Sequence, residues 1–268
     1  MKGPELLERH VGQLVTSAGA FIPGVRVVFR GHDLHSSLKD MGWFELYLFS
    51  ITGRSFTPPQ VKVLQAMWTY TSYPDTRLWN NRVAALAGSA RSTGSLGIAA
   101  AVAVSDAQLY GRGIDRRAIE FLIRVKALVD KGDNLTELVK AELKSKRSIA
   151  GYGRPIVSAD ERIAPMMALL RETGLDGGSY LKLAFEVEKI LLAGRWRLHM
   201  NYGALVAALA TDFGFSPRES YFLGIPAFLA GMPPCYLDAA DKPEGQLFPL
   251  PCRMISYEGV NRRRWKAN

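Results

Sequence analysis

Two glycines two residues apart, Gly151 and Gly153, stand directly before Arg154, and a second arginine, Arg162, follows within the same segment. Glycines at that spacing let a backbone approach a ligand closely, and Pro155 fixes the direction in which the chain leaves. A loop of this kind, feeding a helix that starts near Asp160, can present backbone N–H groups to an anion. A guanidinium beside it stays charged at any working pH, so it can pin an anion but cannot deliver a proton. The chemistry on offer is therefore anion binding; the bland alternative is a turn between two helices.

The 268 residues, 48% of them hydrophobic and 22% charged, are enough for a sizeable core, as one large domain or a large domain with a small one packed on it. The formal net charge is +9. The positive charges are scattered, and the densest cluster is Arg262-Arg263-Arg264 with Lys266 at the C-terminus, which reads as a solvated tail. The field suits a polyanionic small molecule better than a nucleic acid, which only net charge supports. The two cysteines, Cys235 and Cys252, form no metal constellation with the histidines, so no metal site is expected and a reduced, cytoplasmic protein is the simplest reading. The N-terminus lacks the apolar run of a signal peptide, and no stretch has the apolar length to span a bilayer.

The elements that must position these residues are almost all helical. Val25 to Arg30, closed by Gly31, is the one convincing β-like run. A short helix is expected from Glu5 to Val15. Apolar spacings of three and four predict further helices, one capped by Asp40 and ended by Gly53, and one started by Thr57-Pro58. Asp75 is expected to cap the next, through Leu86. The Ala-rich run from Ser95 to Leu109 suits the centre of an all-α domain. Helices follow over 115–130 and 134–147, through Met166 and Leu170, and over 180–192, 202–213 and 217–229. From Met232 five prolines precede Cys252, and the tail is expected to be extended.

In this order the motifs resemble the citrate synthase family, and especially its short members of the citryl-CoA lyase type. Gly31-His32-Asp33-Leu34 with Trp43 to Leu48 and Gly53-Arg54 is similar to the family's opening segment. Asn81 to Ser89 with Arg91-Ser92-Thr93 is similar to the helix and turn before the first catalytic loop. Gln108-Leu109-Tyr110-Gly111-Arg112-Gly113 sits where the family has Pro-Leu-His-Gly-Gly, and Gly151 to Arg162 where it has Gly-Phe-Gly-His-Pro and then Asp-Pro-Arg. Met200-Asn201-Tyr202-Gly203-Ala204 sits where it has Pro-Asn-Val-Asp-Phe. The resemblance implies an all-α, citrate synthase-like fold. It also implies a large helical domain over 1–110 and 206–268, a smaller one over 111–205, and a homodimer or higher oligomer. The small-molecule partner it implies is a carboxylate or an acyl-CoA. No permanently bound cofactor is expected; a coenzyme A thioester would enter as substrate.

The departures from the family pattern matter as much. Its two catalytic histidines and its carboxylate fall on Tyr110, Arg154 and Gly203. Gly203 has no side chain and Asn201 no titratable oxygen, so neither can act as a general base. Tyr110 could donate a hydrogen bond to a developing oxyanion, or simply pack in the core. Tyr110 and Arg154 are thus the catalytic candidates. Arg162 resembles the arginine that grips a substrate carboxylate, although its spacing is a residue short. Arg253 stands near the arginine that a partner subunit contributes, without aligning cleanly. With His199, Asn201 and Gly203 these make the substrate-binding set. Asn201 is equally readable as a structural amide, and His199, whose side-chain type suits a general base, as that base or as an ordinary histidine. Gly151, Gly153 and Arg195, which falls near a coenzyme A phosphate position, are the cofactor-binding candidates. Arg112 reads as solvated, with ligand phosphate as its alternative.

Two function classes follow. One is a repurposed enzyme, a lyase or acyl transferase, acting on an acyl-CoA or carboxylate at a carbon next to a carbonyl. The other is a catalytically silent homologue that serves as scaffold or partner of an active enzyme.

Overall fold

The computed structural model describes residues 3–9, 11–12, 15–108, 111–154, 159–248, 251–261 and 263. Tyr110, Pro155 to Val157 and most of the basic tail (Arg262, Arg264 and Lys266) lie outside the described residues. The fold is all-α with a small N-terminal sheet, as the resemblance implies. Helix α1 spans Pro4–Glu8, shorter than expected, and strands β1 (Gly19–Ile22), β2 (Arg26–Phe29) and β3 (His32–Asp33) follow. They pair antiparallel in the order β1-β2-β3, with Ala20 opposite Val28 and Phe29 opposite His32. The β-like run thus belongs to β2, extended by neighbours too short to signal themselves.

The chain divides into two compact units, residues 1–73 with 105–230, and residues 74–104 with 231–268. The first holds α2 (Trp43–Thr52), α3 (Pro58–Thr71), α6 (Arg112–Val129), α7 (Leu135–Lys146), α8 (Ile163–Thr173), α9 (Ser179–Ala193), α10 (Tyr202–Asp212) and α11 (Pro217–Leu229). Local chemistry explains their ends. Thr57 and Gln60 form a reciprocal capping box at α3, Ser216 and Glu219 another at α11, and Gly53 and Gly174 close α2 and α8 in the left-handed conformation. Asp40 does not cap α2; Gly42 stands there, its N–H accepted by Glu45. The core centres on α10, buried nearly all round through Tyr202, Ala204, Leu205, Ala207, Ala208, Leu209 and Ala210. Alanines on this helix let α6 and α9 approach it closely.

The second unit holds α4 (Trp79–Ser89), α5 (Gly94–Val104), α12 (Met232–Ala240) and a short 3-10 turn, Cys252–Met254. Three expectations are corrected here. The tail does not run extended from Met232: Pro233 and Pro234 fall in the first turn of α12, where a missing N–H costs nothing. Helix α5 packs closely on α4, where a Cβ at Gly97 would lie 2.7 Å from that of Ala87, yet Leu96 and Val104 on α5 are exposed. Asp75 does not cap α4 either; its carboxylate takes Arg77 instead. The units are cut differently from the expected boundaries at 110/111 and 205/206. The second of these falls inside α10, and α6 packs on both α10 and α11, which holds 111–205 to its flanks.

Candidate functional site

The glycine loop is fastened to the start of α10. Gly151 and Gly153 have φ of +90° and +85°, a region that side chains rarely adopt. A Cβ on Gly151 would lie 2.5 Å from that of Ala204. Tyr152 bridges to Met200, the Gly153 N–H donates to the His199 carbonyl at 2.6 Å, and the Asn201 N–H donates to the Gly151 carbonyl at 2.8 Å. The Tyr152 hydroxyl donates to the Ala184 carbonyl of α9 at 2.9 Å. Two segments distant in sequence therefore meet as a short pair of strand-like straps.

Asn201 is the N-cap of α10. Its side-chain oxygen accepts the Gly203 N–H at 2.9 Å, and its amide nitrogen donates to the Gly153 carbonyl at 2.9 Å. Of the two readings open for this residue, these bonds describe the structural amide.

Both loop cations find anions within the protein. Arg154 donates to the Glu161 carboxylate and, at 3.1 Å, to the Ala159 carbonyl. The bond from Arg154, with lesser help, holds Glu161 down at about 2. Arg162 forks onto Asp160, Nε and Nη2 each 2.8 Å from a carboxylate oxygen. Asp160 also accepts the Tyr202 N–H at 2.9 Å, and its side chain is wholly covered. Burial works to raise its pKa, but the Arg162 bonds and charge and the backbone N–H groups of Tyr202 and Arg162 together bring it below the ordinary carboxylate range. The expected anion site at the helix start near Asp160 is thus filled by Asp160 itself. The Arg162 guanidinium also lies 4.6 Å from the centre of the Tyr202 ring. The Tyr202 hydroxyl is buried and bonds to none of the described residues.

One group that sequence reasoning missed faces this cluster. Asp115, in the first turn of α6, has a carboxylate oxygen 3.1 Å from where a Cβ on Gly203 would stand. Desolvation pushes its pKa up to about 7, against the opposing pull of Arg112 and Arg162. A signal was present: Asp115 stands three and four residues before Ala118 and Ile119, and Arg112 three before Asp115, in line with the buried stripe of α6. Charged residues in register with an apolar face are out of place unless they serve something. Arg112 corrects the solvated reading, for it is 5% exposed. It donates to the Tyr221 carbonyl at 2.9 Å, its guanidinium lies 3.5 Å from the centre of the Tyr221 ring, and its Nε has no hydrogen-bond partner among the described residues. Arg112, Asp115, Ser220, Tyr221 and Gly224 help line an open indentation of about 240 Å³ between α6 and α11.

Tyr110 lies outside the described residues. His199 is half-buried, with Nδ1 3.4 Å from Glu188, which also accepts the Met200 N–H. Arg195 lies over the exposed ring of Trp196. Arg253 is exposed on the 3-10 turn of the second unit. No metal-binding group of His, Cys, Asp or Glu occurs among the described residues, and no helix there is long and apolar enough to cross a membrane.

This arrangement belongs to a citrate synthase-like fold. The chain superposes on citryl-CoA lyase from Hydrogenobacter thermophilus with a TM-score of 0.82 at 20% identity, covering 94% of this chain and 97% of that one. It superposes on citrate synthase from Thermotoga maritima MSB8 with a TM-score of 0.67 at 16% identity, over 85% of this chain and 61% of that one. It also matches ATP citrate lyase from Methanosaeta concilii, solved in complex with (3S)-citryl-CoA, with a TM-score of 0.74 at 17% identity. That match takes in 96% of this chain and 44% of the larger enzyme, so the chain spans less than half of its length. No family model and no curated protein matches the sequence.

Proposed function

We propose that the chain is an enzyme of the citrate synthase and citryl-CoA lyase type that makes or breaks a carbon–carbon bond next to the carbonyl of a coenzyme A thioester. The observation that carries this reading is the likeness to a citryl-CoA lyase over nearly the whole length of both chains. Coenzyme A enters as part of the substrate, with no resident cofactor. The substrate carboxylate is bound by Arg162, which would exchange part of its fork on Asp160 for the ligand, and by Arg154, which would release Glu161. Neither arginine can transfer a proton. A homodimer is part of the same reading, with the exposed apolar side of α5 as the surface available to a second copy.

The test is turnover followed in both directions. Citryl-CoA should be cleaved to acetyl-CoA and an oxo acid, or acetyl-CoA with oxaloacetate should give a condensed product, read by chromatography of the thioesters. Neither conversion, with a panel of other acyl-CoAs and oxo acids equally inert, would overturn the reading. A second reading, the silent partner, is favoured by one observation: the Asn201 amide and the Arg154 and Arg162 guanidiniums are already engaged by the chain's own groups. Under it Arg154→Ala leaves ligand-dependent melting unchanged; under the enzyme reading the ligand response falls.

A further inference from the structure

We propose that Asp115 is the proton-transferring carboxylate of this site, supplied by α6 into the space that the missing side chain of Gly203 leaves free. The inference rests on the thioester reading above, which requires a base beside the reacting carbon: Arg154 stays charged, and Asn201 and Gly203 offer no titratable oxygen. The geometry ties two positions together. A Cβ at 203 would stand 3.1 Å from Asp115 Oδ1 and 3.1 Å from Asn201 Oδ1, tighter than ordinary contact. A side chain at 203 would therefore make the carboxylate of 115 or the amide of 201 give by a few tenths of an ångström, and glycine leaves both where they stand. The carboxylate accepts no hydrogen bond from the described residues, in contrast to Asp160 nearby, whose oxygens are taken by Arg162 and Tyr202. It also borders the open indentation, which gives a small acyl group access.

The step balances within the site. Ionised Asp115 takes the proton from the carbon next to the thioester carbonyl. The C–H electron pair becomes the carbon–carbon π bond of the enolate, and the carbonyl π pair moves to oxygen, where Arg112 is the available cation. In the reverse direction the protonated carboxyl returns the same proton to the enolate carbon, and the enolate oxygen's pair re-forms the carbonyl. A carboxyl kept in low dielectric is a stronger base than an ordinary one and is ionised above neutrality.

Charged and titratable groups face Asp115 from its own helix and from its neighbours. Arg112 and Arg116 belong to its own helix. From the N-cap of α8 comes Arg162 paired with Asp160, from α10 Tyr202, and from α11 Tyr221. Helices α7 and α9 meet α6 further along, where Arg124 pairs with Glu142 and Lys126 feels Tyr180.

The test follows loss of the methyl proton signal of acetyl-CoA in deuterated water, with the full chain and with malate added as a non-reacting dicarboxylate. Saturation transfer from protein to acetyl-CoA reports binding in the same samples. The unaltered chain should exchange the protons at a rate that rises with pH and levels off above an inflexion near 7. Asp115→Asn should still bind acetyl-CoA and exchange about 100-fold more slowly. The double variant Asp115→Gly with Gly203→Asp should regain exchange, with its inflexion moved toward lower pH. Equal exchange by Asp115→Asn and the unaltered chain would overturn the assignment while leaving the thioester reading intact, as would binding without exchange by the unaltered chain. Neither binding nor exchange would overturn both. If Asp115→Asn does not fold, the pH profile of the unaltered chain decides, and an inflexion below 5 or none overturns the assignment.

Discussion

Asp160 holds the cluster together through one buried carboxylate that serves both Arg162 and the first N–H of α10. Removing one member of a buried pair leaves the other charged and uncompensated, so Asp160→Asn should cost about 3 kcal/mol in urea unfolding. Because its folded pKa lies below the ordinary value of 3.8, that contribution is present above the unfolded pKa and disappears as acid protonates the folded carboxyl. The gap between the unaltered chain and the variant should therefore be constant from weakly acidic to alkaline pH and close in strong acid. Asp115 has the opposite sign. Its folded pKa, raised from 3.8 to about 7, means that the folded state holds a proton which the unfolded state has already lost. Its contribution to stability is full below the unfolded pKa and is lost as pH rises through the folded pKa. Asp115→Asn removes this penalty, and the variant should melt with the unaltered chain at pH 4 and above it at pH 8, by at most about 4 kcal/mol. A variant less stable at both pH values would show that the carboxylate is a structural member.

At the level of elements, the loop 151–154 and the start of α10 behave as one piece, and the glycines decide whether they can. Gly151→Ala puts a Cβ at positive φ and 2.5 Å from the Cβ of Ala204, so backbone strain and collision add. A loss of about 3 kcal/mol is expected in thermal or urea unfolding. Gly174→Ala has a positive φ too, but open space around it, and should cost about 1 kcal/mol. Similar losses at the two sites would contradict the close approach described for the loop. Helix ends such as Thr57-Pro58 and Gly53 were legible in the sequence because caps act within a few residues. The prolines of α12 misled, since the same residue breaks a helix interior and favours its first turn. The loop and both arginines were legible by type. Their internal anions were not, because Asp160 and Glu161 could equally have faced water. Asp115 was missed for a related reason: beside Arg116 and Arg117 it reads as one more charge in a solvated turn, and its neighbour Gly203 lies far along the chain.

For the molecule as a whole, the net charge of +9 adds a long-range term to binding of an anionic thioester. Affinity for acetyl-CoA should fall as salt is raised through the physiological range, mostly through a slower association rate. The most direct test of the central claim, that this fold holds a coenzyme A thioester, is thermal melting with acetyl-CoA, citryl-CoA, free coenzyme A, citrate and small oxo acids in turn. A ligand at about a hundred times its dissociation constant should add about 2.7 kcal/mol to stability. The account predicts that the thioesters raise the melting temperature by this order, and that Arg162→Ala weakens the response to citryl-CoA. No rise with any thioester, at concentrations into the millimolar range, would contradict it.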